Sequence, residues 1–224
     1  MLSYNSQAEQ HTKLLVVTEH WPPFNYKLPD NSIGGIATKR VIEILNRAEI
    51  DFEIQLYPWA RAYHLAQSQR NVLIYSIYRN KEREKFFHWI CPILPTTELF
   101  LFTLSNSRIQ ANDIDELKKY TIGIVRKEVA SIYLKAKGFK EGDNLFVSTN
   151  DDINLKALIN RKIDFIIGTV PSMTARLRAI GKDFSTLRKI RFAGINENTE
   201  HCMALSLATP QHIVKKLQHA TLVK

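Results

Sequence analysis

The chain has 224 residues, of which 45% are hydrophobic and 24% charged, and its formal net charge is +9. These values are ordinary for a folded globular protein and exclude long disordered stretches. No apolar run approaches the roughly 18–20 residues that a membrane span needs, and the polar opening before Lys13 lacks the apolar segment of a secretion signal. The positive charge favours anionic partners without identifying one.

Short apolar runs alternate with amphipathic stretches along the chain, which is typical of an α/β fold. The runs predict strands at 13–18, 51–57, 71–78, 120–125 and 163–168. Apolar residues recurring on one helical face predict helices at 37–48, 149–162 and 209–220. In the last helix we expect Thr209 to be the N-cap, with Pro210 in the first turn.

The alternation changes at two places, and we interpret both as crossings between two lobes. Near 91–105 a proline-bounded extended run interrupts the pattern, and near 190–200 a basic helical region gives way to an apolar strand. These crossings predict a first lobe built from both chain ends, 1–96 plus 195–224. The second lobe is then 97–194.

Candidate binding residues follow three of the predicted strands. Two prolines stiffen the chain after Trp21 in "TEHWPPFNY", and "PWARAY" places another Trp and an Arg after the second strand. Ligands of open α/β sheets bind outside the carboxyl ends of the strands, and an Arg fork suits a carboxylate. A single aromatic would more often belong to the core, so the repeated placement carries the prediction. The candidates at these strand ends are Trp21, Trp59, Arg61, Ser76, Arg79 and Arg83.

Motifs of other functional classes are missing from the sequence. It contains no nucleophile elbow, zinc-protease motif, phosphate-binding loop or dinucleotide fingerprint, so we predict no catalytic residues, metal or cofactor. The basic stretch 175–191 is expected to be a solvated face, and no nucleic-acid partner is predicted. Cys91 and Cys202 either pair, if the protein is exported, or remain two buried thiols.

The segments TEHWPPFNY, IGGIATKRVIEIL, PWARAY, SIYRNKEREKFFHW, IGIVRKEVASIYL and RKIDFIIG occur in an order that resembles the periplasmic solute-binding proteins of the ABC-transporter amino-acid type. The resemblance extends from about Lys13 to Leu217. It implies the two-lobed periplasmic-binding-protein type II fold, an α/β fold whose lobes are joined by a two-stranded hinge and close on a ligand.

The resemblance also implies roles for individual residues. Trp21 and Trp59 correspond to opposite aromatic walls, and Ser76 to a position where relatives use a hydroxyl. Arg83 corresponds to the arginine that clamps a ligand carboxylate, although Arg79, four residues earlier, is an open alternative.

The sequence departs from the family pattern in the second lobe. Relatives hold an α-ammonium with an acidic residue where this chain has Gly168 and Thr169, and Arg126 stands in a turn that is usually rich in Ser and Thr. By position, Thr169 and Arg126 are therefore the candidate ligand-binding residues of the second lobe. We therefore expect either an acid that lacks the amine or a ligand whose cation meets another site, such as Glu19.

The leading hypothesis is a non-enzymatic periplasmic protein, monomeric and without its signal peptide in this chain. It would capture a small, carboxylate-bearing solute and deliver it to a membrane ABC permease or report it to a sensor. One alternative is an enzyme resembling cyclohexadienyl dehydratases, with Glu19 or Glu128 as the acid/base group. The other is an interaction module that uses the 175–191 face on a polyanion.

Overall fold

The computed structural model describes residues 13–191 and 200–222. Numbered along the chain, the strands in these ranges are β1 (Leu14–Thr18), β2 (Tyr26–Lys27), β3 (Ile33–Gly34), β4 (Phe52–Leu56), β5 (Val72–Tyr78), β6 (Phe87–Leu94), β7 (Leu99–Leu104), β8 (Ile122–Val125), β9 (Leu145–Ser148), β10 (Phe165–Thr169), β11 (Leu187–Ile190) and β12 (His201–Ser206). The α-helices are α1 (Ile36–Arg47), α2 (Trp59–Ser68), α3 (Ile114–Leu117), α4 (Val129–Ala136), α5 (Asp151–Ile159), α6 (Val170–Ala179) and α7 (Gln211–Leu222).

The first sheet has five strands in the order β4-β1-β5-β12-β6. β1 runs parallel to β4 and β5, whereas β12 is antiparallel to β5 and β6. Successive side chains of a strand point to opposite faces. Val16 therefore packs in one core cluster with Val41 of α1, and Val17 packs in another with Ala62 of α2. Because helices cover both faces, all seven residues of β5 are buried.

The second sheet also has five strands, in the order β11-β7-β10-β8-β9. β8 is parallel to β9 and β10, and β7 is antiparallel to β10 and β11. Leu155 and Leu158 of α5 pack with Ile166 on one face, while Leu134 of α4 packs with Phe165 on the other. Each sheet thus forms its own layered α/β lobe.

The chain passes from the first sheet to the second between Leu94 and Leu99, within the predicted crossing at 91–105. The predicted return at 190–200 falls mainly on 192–199, outside the described residues. Strands of the first sheet precede residue 95 or follow residue 200, and those of the second lie between 99 and 190. The two-lobed α/β fold is confirmed, whereas the lobe boundaries stay predictions.

The five predicted strands and three predicted helices are all present. Two local predictions are wrong. Residues 187–190 of the basic region form β11 and not helix. Thr209 does not cap α7, because its buried hydroxyl has no hydrogen-bond partner, and it is the carbonyl of Pro210 that accepts from Ile213 N at 3.0 Å in the first turn.

The cysteines form a disulfide between two neighbouring strands. Cys91 of β6 and Cys202 of β12 have their Sγ atoms 2.04 Å apart and their Cα atoms 4.6 Å apart. Of the two possibilities that the sequence left open, the structure therefore shows the paired one.

No helix within 13–191 and 200–222 has both the length and the hydrophobicity of a membrane span. The longest helices, α1 and α7, have 12 residues each.

Candidate ligand-binding cleft

A cavity of about 40 Å³ lies where the two lobes meet. The carboxyl ends of β1, β5, β8, β9 and β10 open toward it, as expected for ligand sites of open α/β sheets. The lining residues from the first lobe are Glu19, Trp21, Trp59, Ser76, Tyr78 and Arg83. Those from the second lobe are Leu99, Glu128, Val129, Ala130, Asp151, Ile167, Gly168 and Thr169.

Trp21 forms one aromatic wall, and a tight turn holds it in place. Its backbone N–H donates to the carbonyl of Asn25 at 2.7 Å across the two prolines. The ring is stacked on His201 at a centroid distance of 5.2 Å and an interplanar angle of 12°, and it also contacts Phe24 and Tyr78. Burial lowers the pKa of His201 to about 4, so the imidazole ring that stacks on Trp21 is neutral at physiological pH. Trp21 is therefore part of the core and of the cavity wall at once.

Arg83 lies between two aromatic rings and is only 2% exposed. Its guanidinium carbon is 5.2 Å from the ring of Trp59 and 5.3 Å from that of Tyr63, within cation–π range. Nη1 donates to the carbonyl of Tyr78 at 3.1 Å and Nη2 to that of Lys127 at 3.0 Å. Nε is buried and has no hydrogen-bond partner. The Arg83 side chain, which lines the cavity, therefore keeps one N–H donor, at Nε, without an acceptor.

Three carboxyl groups share this cavity: the buried Glu19 from the first lobe, and the half-buried Glu128 and the buried Asp151 from the second. Burial, followed by repulsion from Asp151, raises the pKa of Glu19 to about 8. Burial and the charges of Glu19 and Asp151 raise the pKa of Glu128 well above its usual value. Glu19 and Glu128 are hydrogen-bonded to each other through their side chains. Near neutral pH this pair therefore holds a proton between the lobes.

Burial also raises the pKa of Asp151, although the charge of Arg176 opposes the shift. Asp151 begins α5, where the helix N-terminus favours a negative charge. Its carboxylate lies 3.8 Å from Nη2 of Arg176.

Arg176 corrects the prediction that the whole 175–191 stretch is a solvated face, because it is only 3% exposed. Nη1 donates to Asp152 in a very short contact, Nε donates to Ser172 Oγ at 3.2 Å, and Nη2 donates to the carbonyl of His20 at 2.8 Å. Met173 and Leu177 lie on the same buried side of α6. The helical spacing of these apolar residues was the available signal that Arg176 points inward.

Direct contacts hold the lobes together around the cavity. Trp59 Nε1 donates to the carbonyl of Lys127 at 3.0 Å. The same carbonyl oxygen also accepts a hydrogen bond from Arg83 Nη2. On the other side, His20 Nε2 lies 3.6 Å from the carboxylate of Asp152. The described conformation is therefore closed.

Six of the nine predicted site residues line the cavity, namely Glu19, Trp21, Trp59, Ser76, Arg83 and Thr169. Two of them also have structural partners. Ser76 has φ 58°, unusual for a non-glycine residue, and donates to Asn25 Oδ1 at 2.5 Å, whereas Thr169 caps α6 through Ser172 N. Their roles in ligand binding stay predictions.

The other three predicted residues do not line the cavity. Arg61 lies two positions after Trp59 on α2, which turns it to another face of the helix, where it packs over Tyr57 at 4.3 Å. Arg79 pairs with Glu84, its Nε donating at 2.8 Å. Arg126, directly after β8, pairs with Glu141 at 2.7 Å on the surface.

The sequence shows similarity to one protein family over residues 14–169, the bacterial extracellular solute-binding proteins, family 3. No curated protein matches the chain.

Similar solved structures share the fold at low sequence identity. An ancestral arginine-binding protein bound to arginine has 15% identity and a TM-score of 0.77, covering 93% of this chain and 90% of its own. The arginine-, lysine-, histidine-binding protein ArtJ from Geobacillus stearothermophilus has 19% identity and a TM-score of 0.78, covering 94% and 88%. A histidine kinase sensor domain with similarity to periplasmic binding proteins has 14% identity and a TM-score of 0.79, covering 95% and 90%.

Proposed function

Because the chain belongs to family 3 of the bacterial extracellular solute-binding proteins, we propose that it captures a small, carboxylate-bearing solute in the cleft between its lobes. We propose a carboxylate on the ligand because Arg83 is buried at the cavity and its Nε–H has no hydrogen-bond acceptor. A buried donor without an acceptor is unfavourable by about 1–3 kcal/mol, and a ligand carboxylate would supply the acceptor.

Binding is proposed to proceed by closure of the lobes. A cavity of about 40 Å³ admits little more than water, so a solute enters while the lobes are apart. Arg83 belongs to the first lobe but donates to Lys127 of the second, so the clamp is complete only when they meet. A ligand that touches both lobes then shifts an open–closed equilibrium toward the closed form.

We place this protein in the periplasm, as a monomer that serves either an ABC permease or a sensor. The Cys91–Cys202 disulfide supports an oxidising compartment. Structures similar to this chain include a binding protein of an amino acid ABC transporter as well as a histidine kinase sensor domain. Delivery to a permease and reporting to a sensor are therefore both compatible with this fold.

A dehydratase-like enzyme is the second candidate, and the Glu19–Glu128 pair is the observation that favours it. Carboxyl groups with raised pKa values are suited to acid/base catalysis near neutral pH. Turnover of prephenate or arogenate by the wild-type protein, lost in Glu128→Gln, would support catalysis in place of binding alone.

A thermal-shift screen tests the binding function. The panel contains amino acids, keto acids, aromatic acids and small oligosaccharides, and a ligand specific for the folded state raises the melting temperature. We expect Arg83→Lys to weaken binding of the hit more than tenfold, because an ammonium lacks the planar fork of a guanidinium.

Arg79→Lys is the matched control, since it makes the same change four residues away in a surface ion pair. It should bind like the wild type. Loss of binding in Arg79→Lys, with Arg83→Lys unaffected, would place the carboxylate site outside the cavity and contradict the proposal.

A further inference from the structure

A second concave region lies outside the cleft cavity, in the groove between helices α5 and α6. The α5–α6 groove has a volume of about 580 Å³, within the range of roughly 300–1,000 Å³ that is usual for small-molecule sites. It shares no lining residue with the cleft cavity among the described residues. Asp152 lines the groove although Asp151 lines the cavity, because successive residues of a helix point in different directions.

Each helix presents one face to the groove, because the lining residues recur three or four positions apart. This face covers 152–159 on α5 and 176–180 at the end of α6. Its apolar part includes Leu155, Ile159 and Ile180. Ile180 is 53% exposed. A single exposed apolar residue is ordinary, but here it shares a groove with two others and so provides a continuous apolar surface.

The groove also carries positive charge that nothing in it balances. The guanidinium of Arg176 is compensated by Asp152, with which it makes a short contact. Burial, followed by the charge of Arg176, lowers the pKa of His20, so this ring is neutral near neutral pH. Lys156 and Lys182 line the groove and are exposed, and within the described residues their ammonium groups have no ion-pair or hydrogen-bond partner. The lysine charges therefore remain available to an anion.

We infer that the α5–α6 groove is a second ligand site, which binds an organic carboxylate with an apolar tail. The tail would lie against Leu155, Ile159 and Ile180, where contact removes apolar surface of both partners from water. The carboxylate would be attracted by Lys156 and Lys182. A molecule of this size can use the whole groove, whereas a flat anionic membrane would meet the lysines and leave the apolar floor empty.

The groove is complete in the closed form of the protein. His20 comes from the first lobe, and the other lining residues come from the second. Arg176 connects the two sites, since it lines the groove and lies 3.8 Å from the carboxylate of Asp151 in the cleft cavity. An occupant that contacts His20 as well as α5 and α6 therefore favours the closed form.

Three simple probes test the inference by calorimetry on the full chain. Octanoate has both the carboxylate and the tail, propionate has the carboxylate with a much shorter tail, and octylamine has the same tail with the opposite charge. We expect octanoate to bind at least about tenfold more tightly than propionate, because several more CH₂ groups leave water. Octylamine should bind more weakly than octanoate, because the lysines repel its ammonium group.

Surface variants locate the site without disturbing the core. Lys156→Gln/Lys182→Gln should lower the affinity for octanoate by roughly tenfold, since an exposed charge pair contributes up to about fivefold. Lys119→Gln/Lys140→Gln is the matched control, because it removes the same charge from exposed positions of the second lobe outside the groove; it should bind like the wild type. Ile180→Ser should weaken binding of octanoate and leave that of propionate unchanged.

Arg83→Lys separates the groove from the cleft, where a carboxylate is also proposed to bind. It should leave the affinity for octanoate unchanged. Loss of octanoate binding in Arg83→Lys, with Lys156→Gln/Lys182→Gln unaffected, would assign the probe to the cleft and overturn the inference. The absence of octanoate binding, equal affinities of the two lysine double variants, or binding to phosphatidylglycerol vesicles in place of octanoate would overturn it as well.

Discussion

Arg176 shows how one side chain can serve both the stability of a lobe and its contact with the other lobe. It is 3% exposed and bonds to Ser172 and Asp152 in its own lobe and to the carbonyl of His20 in the other. A guanidinium in such a place is stable because each of its nitrogens has an acceptor. Removing it leaves the buried carboxylate of Asp151 without a cation nearby.

Arg176→Met should therefore lower the free energy of unfolding by about 2–4 kcal/mol, somewhat less than the roughly 3–5 kcal/mol for breaking a fully buried ion pair, because Asp152 is half exposed. Urea unfolding followed by circular dichroism measures the change. Arg178→Met is the control, because Arg178 is exposed on the same helix and should change stability by less than about 0.5 kcal/mol. Equal midpoints for the two variants would contradict the structural role of Arg176.

For individual residues, the sequence could predict those whose position follows directly from the end of a nearby strand. Trp21, Trp59 and Arg83 come soon after strands, and strand ends meet at the ligand side of such a sheet. Asp151 gave no comparable signal, because its environment depends on partners from distant segments. For Arg176 the helical spacing indicated only that the side chain points inward, and not the partners that it meets there. Arg61 and Arg79 satisfied the local rule but point away, since a helical turn or an ion pair with a neighbour directs each of them elsewhere.

Elements with strong periodicity were predictable for a physical reason. β5 is apolar throughout because helices cover both of its faces, and α1 shows one clear buried stripe through Val41, Ile44 and Leu45. β9 and β11 have only four residues each, too few to establish a period of two. The pairing of β12 with both β5 and β6 joins segments more than 100 residues apart, which local pattern does not encode.

The disulfide acts on this long-range pairing. It connects β6 to β12 across a sequence separation of 111 residues, and closing so long a loop restricts the unfolded chain strongly. Reduction should lower the free energy of unfolding by about 2–4 kcal/mol, measured as the urea midpoint with and without dithiothreitol. The double variant Cys91→Ala/Cys202→Ala should show a similarly low midpoint and no response to reductant. A midpoint unchanged by reduction in the wild type would mean that the sheet alone maintains this pairing.

At the scale of the whole molecule, the lobes meet through groups that differ in their response to pH. The hydrogen bonds of Trp59 and Arg83 to the carbonyl of Lys127 are unchanged across the neutral range. The Glu19–Glu128 contact requires a proton, and the approach of His20 to Asp152 favours protonated histidine although burial lowers the pKa of His20. Above pH 6.5, the usual pKa of histidine, the glutamate pair is the contact that changes.

Closure of the ligand-free protein should therefore weaken as the pH rises. With the lobes apart, Glu19 is expected to titrate near its ordinary value of 4.5, whereas burial in the closed form raises its pKa to about 8. The closed form binds more protons between these values, so raising the pH from 6.5 to 8 disfavours closure by up to about 2 kcal/mol per proton. Small-angle scattering should give a larger radius of gyration at pH 8.5 than at pH 6.5.

The double variant Glu19→Gln/Glu128→Gln separates this mechanism from a general effect of pH. Neutral amides can hydrogen-bond across the lobes at any pH, so its radius of gyration should be the same at both values, while Glu43→Gln should behave like the wild type. A pH response that persists in the double variant would assign the opening to other groups. A wild-type radius that does not change would mean that the contacts made by Trp59, Arg83 and Arg176 determine closure without the carboxyl pair.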